Sequence, residues 1–118
     1  MTKKKVLVVC IGGTVRSVGV KDYLNGNMAC DALAASAIWQ SHETMATLCD
    51  WADLIVPVEP RDLPDGPEQY RERWARCFMW EPQYDQKRKV FNLGPDVWAN
   101  ARHPDLQAEI ARRIGEIL

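Results

Sequence analysis

At 118 residues, 47% hydrophobic and 26% charged, the chain is the size of a single domain, 1–118, with one core. Its net charge of −1 excludes bulk attraction to nucleic acid or to an anionic membrane, so any anion specificity has to be local. The longest apolar run, 6–11, falls far short of the roughly 20 residues of a membrane span.

Lys3-Lys4-Lys5 ahead of apolar residues 6–9 lacks the length and the small-residue cleavage site of a secretory signal. Cys10, Cys30, Cys49 and Cys77 are scattered without CxxC spacing, so no metal and no cofactor is expected. A cytoplasmic protein is the expectation.

In chain order, 6–10 is a continuous apolar, β-branched run that predicts a buried parallel strand. Residues 16–26 predict a helix with Val20, Tyr23 and Leu24 inward, followed by a weak strand at 31–36. Ser41 is placed to cap a helix on which Met45, Leu48, Cys49 and Ala52 share a face. A strand at 54–58 follows, then a proline-rich loop at 59–67. Pro67 opens a helix with Tyr70, Trp74, Cys77 and Phe78 inward.

The last predicted strand is 89–93, approached through the basic, solvated cluster Lys87-Arg88-Lys89. Pro104 opens a final helix with Leu106, Ile110, Ile114 and Ile117 inward, and His103 helps to begin it. Strands alternate with helices throughout. The pattern predicts an α/β fold, a four-stranded parallel sheet doubly wound with helices on both faces. Ligands bind beyond the carboxyl ends of such strands, which directs attention to loops 10–17, 36–41, 59–66 and 94–103.

The first of these loops reads Cys10-Ile11-Gly12-Gly13-Thr14-Val15-Arg16-Ser17, a C-x5-R-S spacing. Five residues can wrap one tetrahedral oxyanion with their N–H groups inward, and two glycines relieve the dihedrals this needs. The loop feeds a helix N-terminus, which also favours an anion. Arg16 offers a planar fork for two phosphate oxygens. The same positive field favours a thiolate at Cys10, and the Ser17 hydroxyl is placed to stabilise it.

With Val-Leu-Val-Val-Cys leading into C-x5-R-S at its amino-terminal end, the chain resembles the low-molecular-weight protein tyrosine phosphatases, most closely their shorter bacterial and phage-type members. Leu48-Cys49-Asp50-Trp51-Ala52-Asp53 and Gly94-Pro95-Asp96 extend the likeness across most of the chain. The resemblance implies a phosphatase-I-like fold and phosphotyrosine hydrolysis without metal. It makes Cys10 the nucleophile, Arg16 the phosphate-binding arginine, Ser17 the thiolate-stabilising serine and Asp96 the general acid. Ile11, Gly12, Gly13, Thr14 and Val15 complete the phosphate cradle. The implied partner is a phosphotyrosine protein or a small aryl phosphate, with no nucleic acid, no membrane, and a monomer or weak homodimer. The chain departs from the family with Gly13 for Asn, Val15 for the second loop cysteine, Val18 for Pro, and Pro95 before rather than after the acid.

Other readings stand beside these. Asp96 is also ordinary turn chemistry, with Asp62, Asp65 and Asp105 as rival acids, although Asp105 suits the first turn of the final helix. Trp98 either walls the pocket or packs in the core. An arsenate reductase shares this loop but needs resolving cysteines, and a non-catalytic phospho-ligand module needs only the cradle. Sugar-transporter phosphotransfer subunits place a cysteine similarly but lack an arginine six residues on.

Overall fold

The protein is described by a computed structural model covering residues 3–12, 15–62, 66–94 and 97–118. Three parallel strands, β1 (Lys4–Cys10), β2 (Cys30–Ser36) and β3 (Leu54–Pro57), form a sheet in the order β2-β1-β3. Val8 of β1 stands opposite Ala34 on one side and Val56 on the other. β1 is central, and its residues Val6 to Cys10 are buried on both faces. That is why it reads as an unbroken apolar run.

The alternation along β1 sorts the core into two. Val6, Val8 and Cys10 face a cluster built with α1 (Arg16–Asn27) and α4 (Pro104–Arg113). Leu7 and Val9 face the other, which contains Met45 and Cys49 of α2 (His42–Trp51) and Trp74 of α3 (Glu68–Ala75). Helices therefore cover both faces, as the alternating pattern predicts. Ser41 caps α2 by accepting from Thr44 N at 3.1 Å, and His103 Nδ1 accepts from Asp105 N to start α4. Both caps are local events that a sequence shows.

The predicted fourth strand is corrected. Among the described residues the sheet has three strands, and 89–93 only runs beside β3. Lys89, Phe91 and Leu93 donate their N–H groups to Ile55, Pro57 and Val58 carbonyls at 2.8–3.0 Å. A parallel ladder requires bonds in return, and Pro57 has no N–H to give. One bridge, Ile55 to Arg88, is all that forms.

Two further expectations shift. The third helix stops at Ala75, and Cys77 and Phe78 pass into 3₁₀ turns at Phe78–Trp80 and Pro82–Lys87. Trp74 is fully buried as expected, whereas Tyr70 and Phe78 are half-buried. The cluster 87–89 is no plain solvated approach. Lys87 Nζ donates to Ala52 O, and the Arg88 guanidinium lies 5.3 Å from the Trp80 ring centroid while donating to Met79 O.

Gly19 sets how α1 meets α4. A Cβ there would lie 3.0 Å from Ala101 O and 3.1 Å from Leu106 Cδ2. Only a bare backbone permits this approach without displacement. Gln107 secures it, donating through Nε2 to Gly19 O at 3.1 Å and Ala101 O at 2.9 Å. The helix that begins with Arg16 is thereby held from behind by the carboxyl-terminal helix.

Candidate active site

The sheet order itself points to one place. From β1 the chain crosses one face through α1 to reach β2, then the opposite face through α2 to reach β3 on the other side of β1. The carboxyl end of β1 is thus the topological switch point, where helices diverge and leave a crevice. Cys10 is its last residue.

Cys10 Sγ and Ser17 Oγ lie 3.0 Å apart in buried surroundings. A hydroxyl at this distance can donate to the sulfur. Both residues are held by regular structure, Cys10 by the sheet and Ser17 by the first turn of α1. Ala37 N donates to Cys10 O at 3.0 Å, and Ser36 Oγ donates to Ile11 O at 2.5 Å. The departing loop is therefore anchored to the end of β2.

Arg16 opens α1 and is 3% exposed. Its Nη1 donates to Glu59 Oε1 at 2.6 Å and to Gly94 O at 2.7 Å. Its Nε is buried with no hydrogen-bond partner among the described residues. A buried guanidinium N–H without an acceptor is costly, and a phosphate oxygen would satisfy it. Nη1 is spent on the protein, while Nε lies on the edge that a bidentate anion uses.

Glu59 is the residue that sequence reasoning missed. It lies in one of the loops at the carboxyl ends of the strands, but a single acid between Val58 and Pro60 has no motif around it. The signal was position alone: a carboxylate directly after a fully buried strand, itself 2% exposed. A buried ion pair broken on one side leaves an uncompensated charge. Glu59→Ala is expected to lower unfolding stability by about 3–5 kcal/mol, read from urea titration. An unshifted midpoint would show that Arg16 finds solvent or another acceptor instead.

Gly94 is the second unforeseen part. Its φ of +74° belongs to glycine, and its N–H is held by Asn92 Oδ1 at 2.9 Å. This turn presents the carbonyl that Arg16 takes.

Of the other predicted site residues, Ile11 packs against the second core cluster and Val15 against the first, while Gly12 is half-buried. Gly13, Thr14 and Asp96 lie outside the described residues, as does the rival Asp65. Trp98 packs against the first cluster with its ring 5.5 Å from that of His103, and its buried Nε1 has no partner among the described residues. Asp62 is exposed, and Asp105 occupies the first turn of α4, as its sequence position implies. No group of three His, Cys, Asp or Glu side chains able to hold a metal is found among the described residues. No helix among them is long and apolar enough to cross a membrane.

Comparison with known proteins leaves the site to be read on its own chemistry: no family model, curated protein or solved structure matches this chain.

Proposed function

We propose that the protein is a phosphomonoester hydrolase of the low-molecular-weight tyrosine phosphatase type, acting through a cysteinyl-phosphate. The observation that carries this is the 3.0 Å approach of Ser17 Oγ to Cys10 Sγ at the switch point, beside a buried Arg16. The order β2-β1-β3, with 89–93 alongside β3, supports the family's sheet.

The Cys10 thiolate attacks phosphorus in line, forming an S–P bond as the ester P–O bond breaks. The loop amides and Arg16 stabilise the equatorial oxygens, so the positive charge comes from the protein. Ser17 donates to the thiolate before attack and again when it departs. Asp96, protonated, gives its proton to the leaving phenolate. It then takes one from the water that cleaves the S–P bond, and phosphate is released. All these residues belong to one chain, and a monomer suffices. A thiolate nucleophile requires a reducing compartment, which favours the cytoplasm.

An arsenate reductase would need a second reactive thiol to accept the reacted Cys10. Burial pushes the Cys49 thiol up to about 12, and burial also raises Cys77. Both are held as protonated thiols inside the second core cluster, the opposite of what a resolving cysteine needs. This favours hydrolysis over reduction.

Turnover of nitrophenyl phosphate with a pre-steady-state burst is the expected result. Tight phosphate binding without turnover would leave only a binding module. The acid is tested by leaving-group basicity, since the tyrosine phenol has a pKa of about 10 and its anion leaves poorly without a proton. Asp96→Asn is expected to slow phosphoenzyme formation from phosphotyrosine by roughly 10²–10⁴-fold, and from the nitrophenyl ester much less. Equal losses on the two esters would give Asp96 a merely structural part and turn attention to Asp62 and Asp65.

A further inference from the structure

A groove of about 290 Å³ opens beside the nucleophile loop, at the carboxyl end of β2. Its walls include Ile38, Gln40, His42, Arg73, Arg76 and Phe78. It belongs to the same hydrogen-bonded unit as the loop. Ala37, also in its wall, donates to Cys10 O, and Ser36 Oγ both donates to Ile11 O and accepts from Ile38 N and Trp39 N. Ser36 and Ala37 thus tie the start of the loop to the wall of the groove.

Its charge is one-sided. No carboxylate lines it, and Arg73 and Arg76 form no ion pair among the described residues. Arg73 reaches only Ile38 O, at 3.4 Å. Five of the other guanidiniums are matched, Arg16 with Glu59, Arg88 with Asp85, Arg102 with Asp22, Arg112 with Glu109, and Arg113 with Glu109 and Glu116. Arg61 and Arg71 likewise form no ion pair among the described residues. His42 stands at the start of α2 with its ring edge-on to Phe78, 4.6 Å between centroids. In a chain of net charge −1, two unmatched arginines around one groove mark a local anion preference.

We propose that this groove is a subsite for acidic side chains of the polypeptide that carries the phosphorylated residue. The proposal rests on the phosphatase reading of the Cys10 loop and names its substrate class: phosphotyrosine flanked by Asp or Glu. A peptide leaving the loop over Ala37 and Ile38 meets apolar wall for its backbone and stems, and guanidinium forks for its carboxylates. The walls mix Ile38, Met45 and Phe78 with the cations, which suits a peptide better than a bare phosphate backbone.

The test uses fluorescein-labelled phosphotyrosine peptides, one with glutamates and one with alanines around the phosphorylated residue. Binding to the Cys10→Ser protein is read by anisotropy, and kcat/KM is measured on the unaltered loop. The acidic peptide is expected to bind about tenfold more tightly at low salt, with the advantage shrinking at high salt. Arg73→Ala combined with Arg76→Ala is expected to erase that advantage while leaving kcat/KM on nitrophenyl phosphate unchanged. The Arg73→Lys, Arg76→Lys pair keeps the charge and is expected to retain part of it, which separates recognition from a folding defect.

Equal affinity for the two peptides, or a preference that survives the double alanine variant, overturns the subsite. So does tighter binding of a single-stranded oligonucleotide of equal charge. Turnover of nitrophenyl phosphate without the preference removes the groove and keeps the phosphatase. An arginine-dependent preference without turnover keeps the groove and removes the phosphatase.

Discussion

Cys10→Ser is expected to abolish turnover of aryl phosphates, a loss of about 10³-fold or more, equal to some 4 kcal/mol of barrier. The hydroxyl that replaces the thiol is un-ionised at neutral pH, and the neighbouring Ser17 hydroxyl provides no base to activate it. Binding should survive, because the arginine and the loop amides remain. Phosphate or vanadate affinity measured by calorimetry should therefore change little while the burst disappears. A serine variant that still turns over would place the chemistry at another residue. The substitution is nearly isosteric at a 3%-exposed position, so unfolding stability is a fair control.

Arg16→Lys is the second large effect, expected to reduce kcat/KM on aryl phosphate almost as far as Arg16→Ala does, by about 10²–10³-fold. The structure explains why an ammonium cannot substitute. Arg16 serves two clients from two parts of one planar group, with Nη1 on Glu59 and Gly94 O and Nε on the edge left for the anion. A single ammonium on a flexible stem cannot hold both sets in fixed geometry. Steady-state kinetics with both variants decide the matter. A lysine variant with most of its activity would make Arg16 a structural cation whose business is Glu59 alone.

The legible parts of this protein are those where chemistry and periodicity lie close together in sequence. β1 and the C-x5-R-S loop run consecutively from Lys4 to Ser17, so strand, glycines and helix start are legible together. The caps Ser41 and His103 sit beside the helices they begin. The failures are all long-range. Pro57 reads as a tolerable strand end, and only pairing with 89–93 makes its missing N–H matter. The apolar spacing predicts a third helix running past Ala75, because Cys77 and Phe78 continue it. Cys77 is buried and Phe78 half-buried by packing in the second core cluster, not by helical phase. Glu59 and Gly94 meet Arg16 across 43 and 78 residues, and nothing in their neighbours announces it.

The clasp between Gly19 and Gln107 has a consequence for how the protein comes into being. Gln107 reaches Gly19 O across 88 residues, and Gly94 reaches Arg16 across 78. Contacts of such separation are slow to form, because the intervening chain must give up its loop freedom first. At a translation rate of about 5–20 residues per second, β1 and Cys10 leave the ribosome several seconds before the helix that backs α1 is made. Through that interval β1 lacks its α4-side cover, and until residues 54–57 are made it lacks its β3 partner as well, so its apolar run is exposed to other chains. The Cys10 loop is thus made well before Gly94 and Gln107, the residues that hold Arg16 and α1 in place, and its surroundings are among the last structures completed.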